Sequence, residues 1–209
     1  MSEQIPWTPV WTPVALSMDI PSGTAAPGQI GPHDLAIWRS QSGRLSVWSD
    51  RCPHRGMRLS HGFVRGEALS CIYHGWRYGM GGQCIRIPAH PDLVPPAAVR
   101  VPAFAAAERA GVVWAADPGC PGDPPDFPGF SGFRSLRIAA PAAEVSAWLG
   151  GTRLRLGPLD VVALVQPLRE GGATLHLLAP EAADPDALDA LSAAAEGLRR
   201  KVESREAAA

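Results

Sequence analysis

Cys52-Pro53-His54-Arg55-Gly56 and Cys71-Ile72-Tyr73-His74-Gly75-Trp76 are the two stretches of this 209-residue sequence that decide its fold. Each stretch offers one thiol and one imidazole, and sixteen residues separate His54 from Cys71. A glycine lies just beyond each Cys/His pair, where the backbone can turn tightly. We therefore predict two loops whose side chains converge on one site with four ligands.

This ligand set by itself leaves the metal open. Two cysteines and two histidines bind either a tetrahedral zinc ion or a two-iron cluster with the cysteines on one iron and the histidines on the other. A zinc site would favour an interaction module without turnover, whereas a cluster would favour redox chemistry.

The residues around the ligands carry a more specific signal. Together with Leu59-Ser60, Gly62 and Gly66, the two stretches resemble the Rieske iron-sulfur domain of ring-hydroxylating oxygenases, and the similarity extends from Trp11 to Trp114. The resemblance implies one Rieske-type [2Fe-2S] cluster per chain, with Cys52 and Cys71 on the inner iron and His54 and His74 on the outer one. Ile72 stands where that family often has proline, which alters loop stiffness without removing a ligand.

Two further residues are candidates for contact with the cluster. In the relatives from respiratory cytochrome bc complexes each loop has an extra cysteine, and a serine donates a hydrogen bond to the cluster. Met57, Tyr73 and Trp76 stand at the corresponding positions here, so the resemblance implies a reduction potential at the low end of the range. Tyr78 either donates a hydrogen bond near a cysteine sulfur or is a core tyrosine bonded elsewhere.

Short runs rich in Val, Ile, Leu and Trp, with turn residues between them, predict a mainly β fold. The runs at 12–16, 35–39, 45–49 and 111–115 favour a small antiparallel Rieske β-domain over residues 1–120. A Pro/Gly-rich linker is predicted at 121–132, because proline lacks a backbone donor and fixes φ.

Residues 133–209 are predicted to form a short α+β segment, which resembles a remnant of the helix-grip domain of the oxygenases. Its strand candidates lie at 154–156, 161–165 and 174–178. A C-terminal helix begins at Asp184-Pro185 and carries an apolar stripe formed by Leu188, Leu191, Ala195, Leu198 and Val202. We expect this stripe to pack on its own sheet, and a helix-mediated oligomer is the alternative.

Composition narrows the class of protein. A net charge of -1, from 19 basic and 20 acidic residues, argues against nucleic acid or an anionic membrane as the main partner. The first six residues lack the features of a leader, and no run of apolar residues is long enough to span a membrane, so we expect a cytoplasmic protein. In that setting the four cysteines are expected to be reduced, with Cys84 and Cys120 as free thiols.

The sequence offers no second iron site of the kind that activates oxygen. After His74 only His90 and His176 follow, so no pair of histidines with a nearby carboxylate can be assembled, and no catalytic residue is assigned. We expect His61, His90 and His176 to be surface or internally bonded histidines.

Two functions follow from these observations. The first is single-electron transfer between a reductase or ferredoxin donor and an oxygenase acceptor chain. The alternative is an oxygenase subunit, for aromatic-ring hydroxylation or O- or N-demethylation, whose iron site is degenerate or completed by a partner. Arg55, Arg58, Arg77 and Arg86 either form a positive rim for an acidic redox partner or are ordinary solvated surface.

Overall fold

Short antiparallel strands build most of this protein, as the sequence predicts. The computed structural model describes residues 10–206, so the six residues for which we expect no leader function lie outside the described part. Within that part the strands are β1 (Thr12–Leu16), β2 (Ala25–Ile30), β3 (His33–Arg39), β4 (Leu45–Ser49), β5 (Phe63–Arg65), β6 (Ala68–Ser70), β7 (Arg77–Gly79), β8 (Cys84–Arg86), β9 (Ala105–Arg109), β10 (Val112–Ala116), β11 (Phe130–Ile138), β12 (Arg153–Leu156), β13 (Leu159–Pro167) and β14 (Ala173–Pro180). The helices are α1 (Ala142–Leu149) and α2 (Pro185–Glu206).

Three small sheets form the first half of the molecule, with strand orders β1-β10-β9, β2-β3-β4 and β5-β6-β7-β8. The predicted strands at 12–16 and 45–49 are confirmed residue for residue, and the strand predicted at 111–115 is shifted by one residue. The turn predicted between β3 and β4 is also present, with a φ of +90° at Gly43. The sequence runs therefore predict four of the ten strands of this half, β1, β3, β4 and β10.

Strand β2 is harder to predict because Pro27 and Gly28 lie in its middle, and both residues are depleted in strand interiors. The strand lies at the edge of its sheet, where proline is tolerated, and pairs only with β3 within that sheet. A Cβ at Gly28 would lie 2.6 Å from Cδ1 of the buried Ile37, so a larger residue there would force that side chain to shift.

The core beneath the β5–β8 sheet is aromatic. Trp38 and Trp48 are fully buried and meet edge to face, with ring centroids 4.8 Å apart. Cys52, Cys71 and Tyr78 belong to the same cluster of buried side chains. The two tryptophans therefore pack the β-core, and the same core lies at the base of both cysteine loops.

A single four-stranded antiparallel sheet, with the order β11-β14-β13-β12, forms the C-terminal half. One face carries Leu175 and Leu177 against α2, and the other carries Val162 and Leu178 against Trp114 of the first half. The predicted stripe of α2 packs on this sheet, with four of its members buried there: Leu191, Ala195, Leu198 and Val202. The expectation that the helix packs on its own sheet is confirmed.

The boundaries of the C-terminal elements follow from turn and cap residues. The Oδ1 atom of Asp184 accepts a hydrogen bond from the amide of Ala187 at 2.9 Å, which confirms the predicted start of α2. Helix α1 was not predicted from the sequence, and it ends at Gly150, whose φ is +71°. Strand β11 begins at Phe130, three residues inside the predicted linker, at the edge of its sheet.

Among the described residues, neither helix combines the length and apolar character needed to cross a membrane.

Candidate metal centre

The first cysteine loop follows β4 and closes through two backbone hydrogen bonds. The amide of Cys52 donates to the carbonyl of Met57 at 2.8 Å, and the amide of Gly56 donates to the carbonyl of Cys52 at 2.8 Å. Gly56 has a φ of +73°, a left-handed conformation that favours glycine. The tight turn directs Cys52 inward, where it is 3% exposed, and leaves His54 half-buried.

The second loop follows β6 and repeats the same pattern. The amide of Cys71 donates to the carbonyl of Trp76 at 2.9 Å, and that of Gly75 donates to the carbonyl of Cys71 at 3.0 Å. Gly75 has a φ of +67°, and a Cβ at this position would lie 3.1 Å from Cγ of Pro88. The two loops are therefore equivalent in backbone geometry, as the similar spacing of their residues predicts.

The two histidines are brought together at the surface. The ring centroids of His54 and His74 are 4.6 Å apart. The ring of Trp76 stacks on that of His54, with centroids 4.3 Å apart and planes 6° from parallel. The ring centroids of Tyr73 and His74 are 3.9 Å apart. These aromatic neighbours restrict how either imidazole can rotate.

The two cysteines occupy the buried side of the same site. The hydroxyl of Tyr78 lies 3.1 Å from the sulfur of Cys52, and Tyr78 is fully buried. Burial and the adjacent cysteine raise the pKa of Tyr78 well above its ordinary value, so the phenol stays protonated and can donate to a thiolate. Of the two interpretations of Tyr78, the structure favours the one with a hydrogen bond to a cysteine sulfur.

The ionisation of the site suits metal binding by displacement of protons. Burial raises the pKa of Cys71, and the neighbouring Cys52 adds to the shift, so the Cys71 thiol is protonated without a cation. Desolvation lowers the pKa of His54, and the charges of His74 and Arg55 lower it further, which favours the neutral imidazole that binds metals. A metal would release a proton from Cys71 but needs none from His54.

The four side chains form two layers, which fits a two-iron cluster. A pair of thiols lies in the core and a pair of imidazoles lies at the surface, so each iron would have two protein ligands. Nowhere in residues 10–206 do three or more His, Cys, Asp or Glu side chains lie close enough together to bind a single metal ion. The donor chemistry and this layering are the arrangement that a binuclear cluster needs.

Comparison with known proteins decides the identity of this half. Residues 10–104 match the family described as the Rieske [2Fe-2S] domain. This part of the chain is a Rieske domain. Its cofactor is accordingly a [2Fe-2S] cluster of the Rieske type, and the chain as a whole is mainly β.

Two of the curated relatives reported for the Rieske domain are named as an oxidoreductase and as a dioxygenase subunit. Oxidoreductase NdmD from Pseudomonas putida is 43% identical over 105 residues, which are 50% of this chain and 18% of that protein. The alpha subunit of phenoxybenzoate dioxygenase from Ectopseudomonas oleovorans is 36% identical over 106 residues, covering 50% and 26%. Protein TIC 55 of Arabidopsis thaliana, which is chloroplastic, is 32% identical over 109 residues, covering 52% and 20%. The chain thus spans about a fifth to a quarter of the length of these relatives.

Solved structures extend the likeness in fold beyond the Rieske domain. NdmA of Pseudomonas putida CBB5 superposes with a TM-score of 0.73 at 18% identity, covering 93% of this chain and 80% of that one. Apo dicamba monooxygenase gives a TM-score of 0.73 at 20% identity, covering 94% and 86%. The similarity in fold therefore includes the C-terminal sheet and α2.

The other residues singled out in the sequence lie outside the metal centre. His61 and His90 are exposed, as expected, and within the described residues Cys84 and Cys120 are not joined in a disulfide. His176 is buried, and both ring nitrogens are hydrogen-bonded, to Ser135 Oγ at 2.9 Å and Gln166 Oε1 at 3.2 Å. The expectation of an internally bonded histidine is confirmed.

Arg58 departs from the predicted positive rim. Its guanidinium lies 3.6 Å from the carboxylate of Asp50 and 3.4 Å from that of Asp34, so two acidic side chains offset its charge. Asp50 also accepts hydrogen bonds from the amide and hydroxyl of Ser60, both at 2.7 Å. Sequence reasoning missed Asp50, although a carboxylate two residues before a ligand loop is a signal that could have been followed.

Proposed function

We propose that this protein transfers single electrons through a Rieske cluster held by Cys52 and Cys71 on one iron and by His54 and His74 on the other. The observation that carries the proposal is the layered arrangement of the four side chains, with buried thiols and two imidazoles side by side at the surface. The cluster supplies one-electron redox chemistry when bound. The protein provides the ligands, a dry inner side and an exposed outer edge.

The protein environment determines how easily the site is reduced. In the oxidised state the charges of two ferric ions, two sulfides and two thiolates sum to about zero, because the imidazoles are neutral. One added electron makes the total charge about -1. The Tyr78 hydroxyl, bonded to the sulfur of Cys52, stabilises the more negative state. Trp76 holds the ring of His54 by stacking, and this fixes the imidazole that faces the partner.

Charge around the loops supports an acidic redox partner. Residues 51–100 contain seven arginines, no lysine, one glutamate and one aspartate, which gives +5 in a chain whose net charge is -1, and Asp34 and Asp50 offset the charge of Arg58 within that count. Ile72 and Tyr73, beside His74, are 50% and 55% exposed. A partner with an acidic rim and an apolar centre fits this face, and long-range attraction would speed its encounter.

The proposed donor is a reductase or ferredoxin, and the proposed acceptor is an oxygenase chain. Both dock over the edge formed by His54 and His74, because the two cysteines are shielded by the aromatic core. We place the protein in the cytoplasm, where reduced thiols such as Cys84 and Cys120 persist. Self-association is compatible with this scheme, and sedimentation of the purified chain tests it.

The alternative, an oxygenase subunit, is favoured by the likeness in fold, which extends over the C-terminal sheet. The available ligands weigh against it. His176 is buried with both nitrogens bonded, and His90 lies exposed beyond β8 in the Rieske half. His176 therefore has no ring nitrogen left for iron, and His90 lies outside the C-terminal sheet.

Metal analysis of the purified chain tests the proposal. We expect two irons and two acid-labile sulfides per chain, together with a reduced electron paramagnetic resonance spectrum of mixed histidine and cysteine ligation. One zinc and no sulfide would overturn it. A third iron with substrate-dependent product in a single turnover would favour the oxygenase instead.

A further inference from the structure

A chain of charged groups runs from the first cysteine loop to the C-terminal sheet. It begins at Asp50, whose side chain is fully buried and which accepts two hydrogen bonds from Ser60. Asp50 and Ser60 flank the loop on its two sides. The carboxylate therefore closes the base of the loop that carries Cys52 and His54.

Arg58 and Asp34 extend this chain to the surface. The guanidinium of Arg58 lies 3.6 Å from Asp50 and 3.4 Å from Asp34, so it compensates a buried carboxylate and a partly exposed one together. The amide of Asp50 also donates to the backbone carbonyl of Asp34 at 2.9 Å. Without Arg58 the buried charge of Asp50 would be poorly compensated.

Arg169 completes the chain from the other half of the molecule. It lies in the turn between β13 and β14, where its guanidinium donates to Asp34 Oδ1 at 3.0 Å and to the carbonyl of Pro32 at 3.1 Å. One arginine of the C-terminal sheet thereby binds both the backbone and the carboxylate of the β2–β3 turn region. The same carboxylate is the one that orients Arg58.

We infer that Arg169, Asp34 and Arg58 are positioning residues through which the C-terminal sheet holds the first cysteine loop closed around its metal. The inference rests on the proposed binding of the cluster by Cys52 and His54. Loops that bind metals open before the metal leaves, so contacts that keep the loop closed slow metal loss. The C-terminal sheet would thereby slow the loss of the cluster without itself binding a metal.

The test compares variants of the full chain for cluster loss under excess EDTA, followed by visible absorbance. Arg169→Met and Asp34→Asn should lose the cluster roughly two- to five-fold faster than the wild type, since partly exposed ion pairs contribute little individually. Arg169→Lys should recover most of the difference. Thermal midpoints measured by circular dichroism should stay the same, which separates loop opening from global unfolding.

Arg137→Met is the matched control. Arg137 lies on the same sheet and pairs with Glu170 at 3.1 Å, with both side chains largely exposed. It should lose the cluster at the wild-type rate. If Arg137→Met is as fast as Arg169→Met, or if Arg169→Met matches the wild type, the inference is overturned.

A double variant checks that the groups act in series. Arg58→Met with Arg169→Met should lose the cluster no faster than the faster single variant, whereas multiplied effects would show independent action and overturn the chain. If the wild type holds zinc instead of iron, the proposed function fails, but zinc release from the same variants still decides the role of Arg169.

Discussion

The hydroxyl of Tyr78 lies 3.1 Å from the sulfur of Cys52, and both side chains are buried in the aromatic core. Because a hydrogen bond to sulfur withdraws charge, it stabilises the reduced site more than the oxidised one. The second tyrosine of the chain, Tyr73, is exposed beside His74 and makes a matched control.

Replacing Tyr78 by Phe should lower the midpoint potential by about 40–60 mV, corresponding to about 1 kcal/mol for one electron. Protein-film voltammetry on both variants measures this. Tyr73→Phe should leave the potential close to that of the wild type. Equal potentials in the wild type and Tyr78→Phe would show that the hydroxyl does not act on the cluster.

The wild-type potential itself should lie toward the low end of the Rieske range, which runs from roughly -150 to +300 mV. Trp76 occupies the position of the missing hydroxyl donor, and Met57 and Tyr73 stand at the positions of the two extra cysteines that form the bracing disulfide in the cytochrome bc relatives. A dye-coupled redox titration gives the value. A potential near the upper end would mean that other donors, such as backbone amides, dominate.

Replacing His54 or His74 by Ala should remove most of the iron and sulfide and destabilise the Rieske half by several kcal/mol, on the order expected when metal binding and folding are coupled. Iron and sulfide analysis and thermal unfolding check both effects. His61→Ala is the control, since His61 is exposed and lies between the two loops. An unchanged cluster spectrum in His54→Ala would contradict the assigned ligand.

Electron uptake from an acidic ferredoxin should be slower at high salt, because screening weakens the attraction to the arginines around the loops. Arg55→Gln and Arg86→Gln should each lower the second-order rate constant by about two- to three-fold at low salt. Arg155→Gln, on the C-terminal sheet and paired with Asp160, should not. Stopped-flow kinetics decide the matter, and a rate independent of salt would exclude electrostatic steering.

His176 should make stability depend on pH. Burial lowers its pKa from 6.5 to about 4, so the unfolded chain binds the proton more readily than the folded one. The stabilisation is complete above pH 6.5 and is lost as the pH falls toward 4, up to about 3 kcal/mol. Urea unfolding across this window should show the loss in the wild type and a flatter profile in His176→Gln. Parallel profiles would show that His176 does not titrate as described.

Local sequence pattern accounts for several of the strands, the helix α2 and the two ligand loops. The strands at 12–16 and 45–49 and the Asp184 cap could be predicted because alternation, turns and caps act between residues close in sequence. The ligand loops belong to the same class, since each is closed by hydrogen bonds within six residues. Strand β2 and helix α1 were not predicted from the sequence, because their boundaries depend on packing against neighbouring elements.

Contacts between distant residues were decided by the tertiary structure alone. Tyr78 meets Cys52 across 26 positions, Ser135 meets His176 across 41, and Arg169 meets Asp34 across 135. A residue's local pattern shows that it is buried or charged, but its partner depends on how separate sheets pack. The sequence by itself therefore predicted which residues would form the metal centre, whereas only the packing of separate sheets decided which side chains contact and surround them.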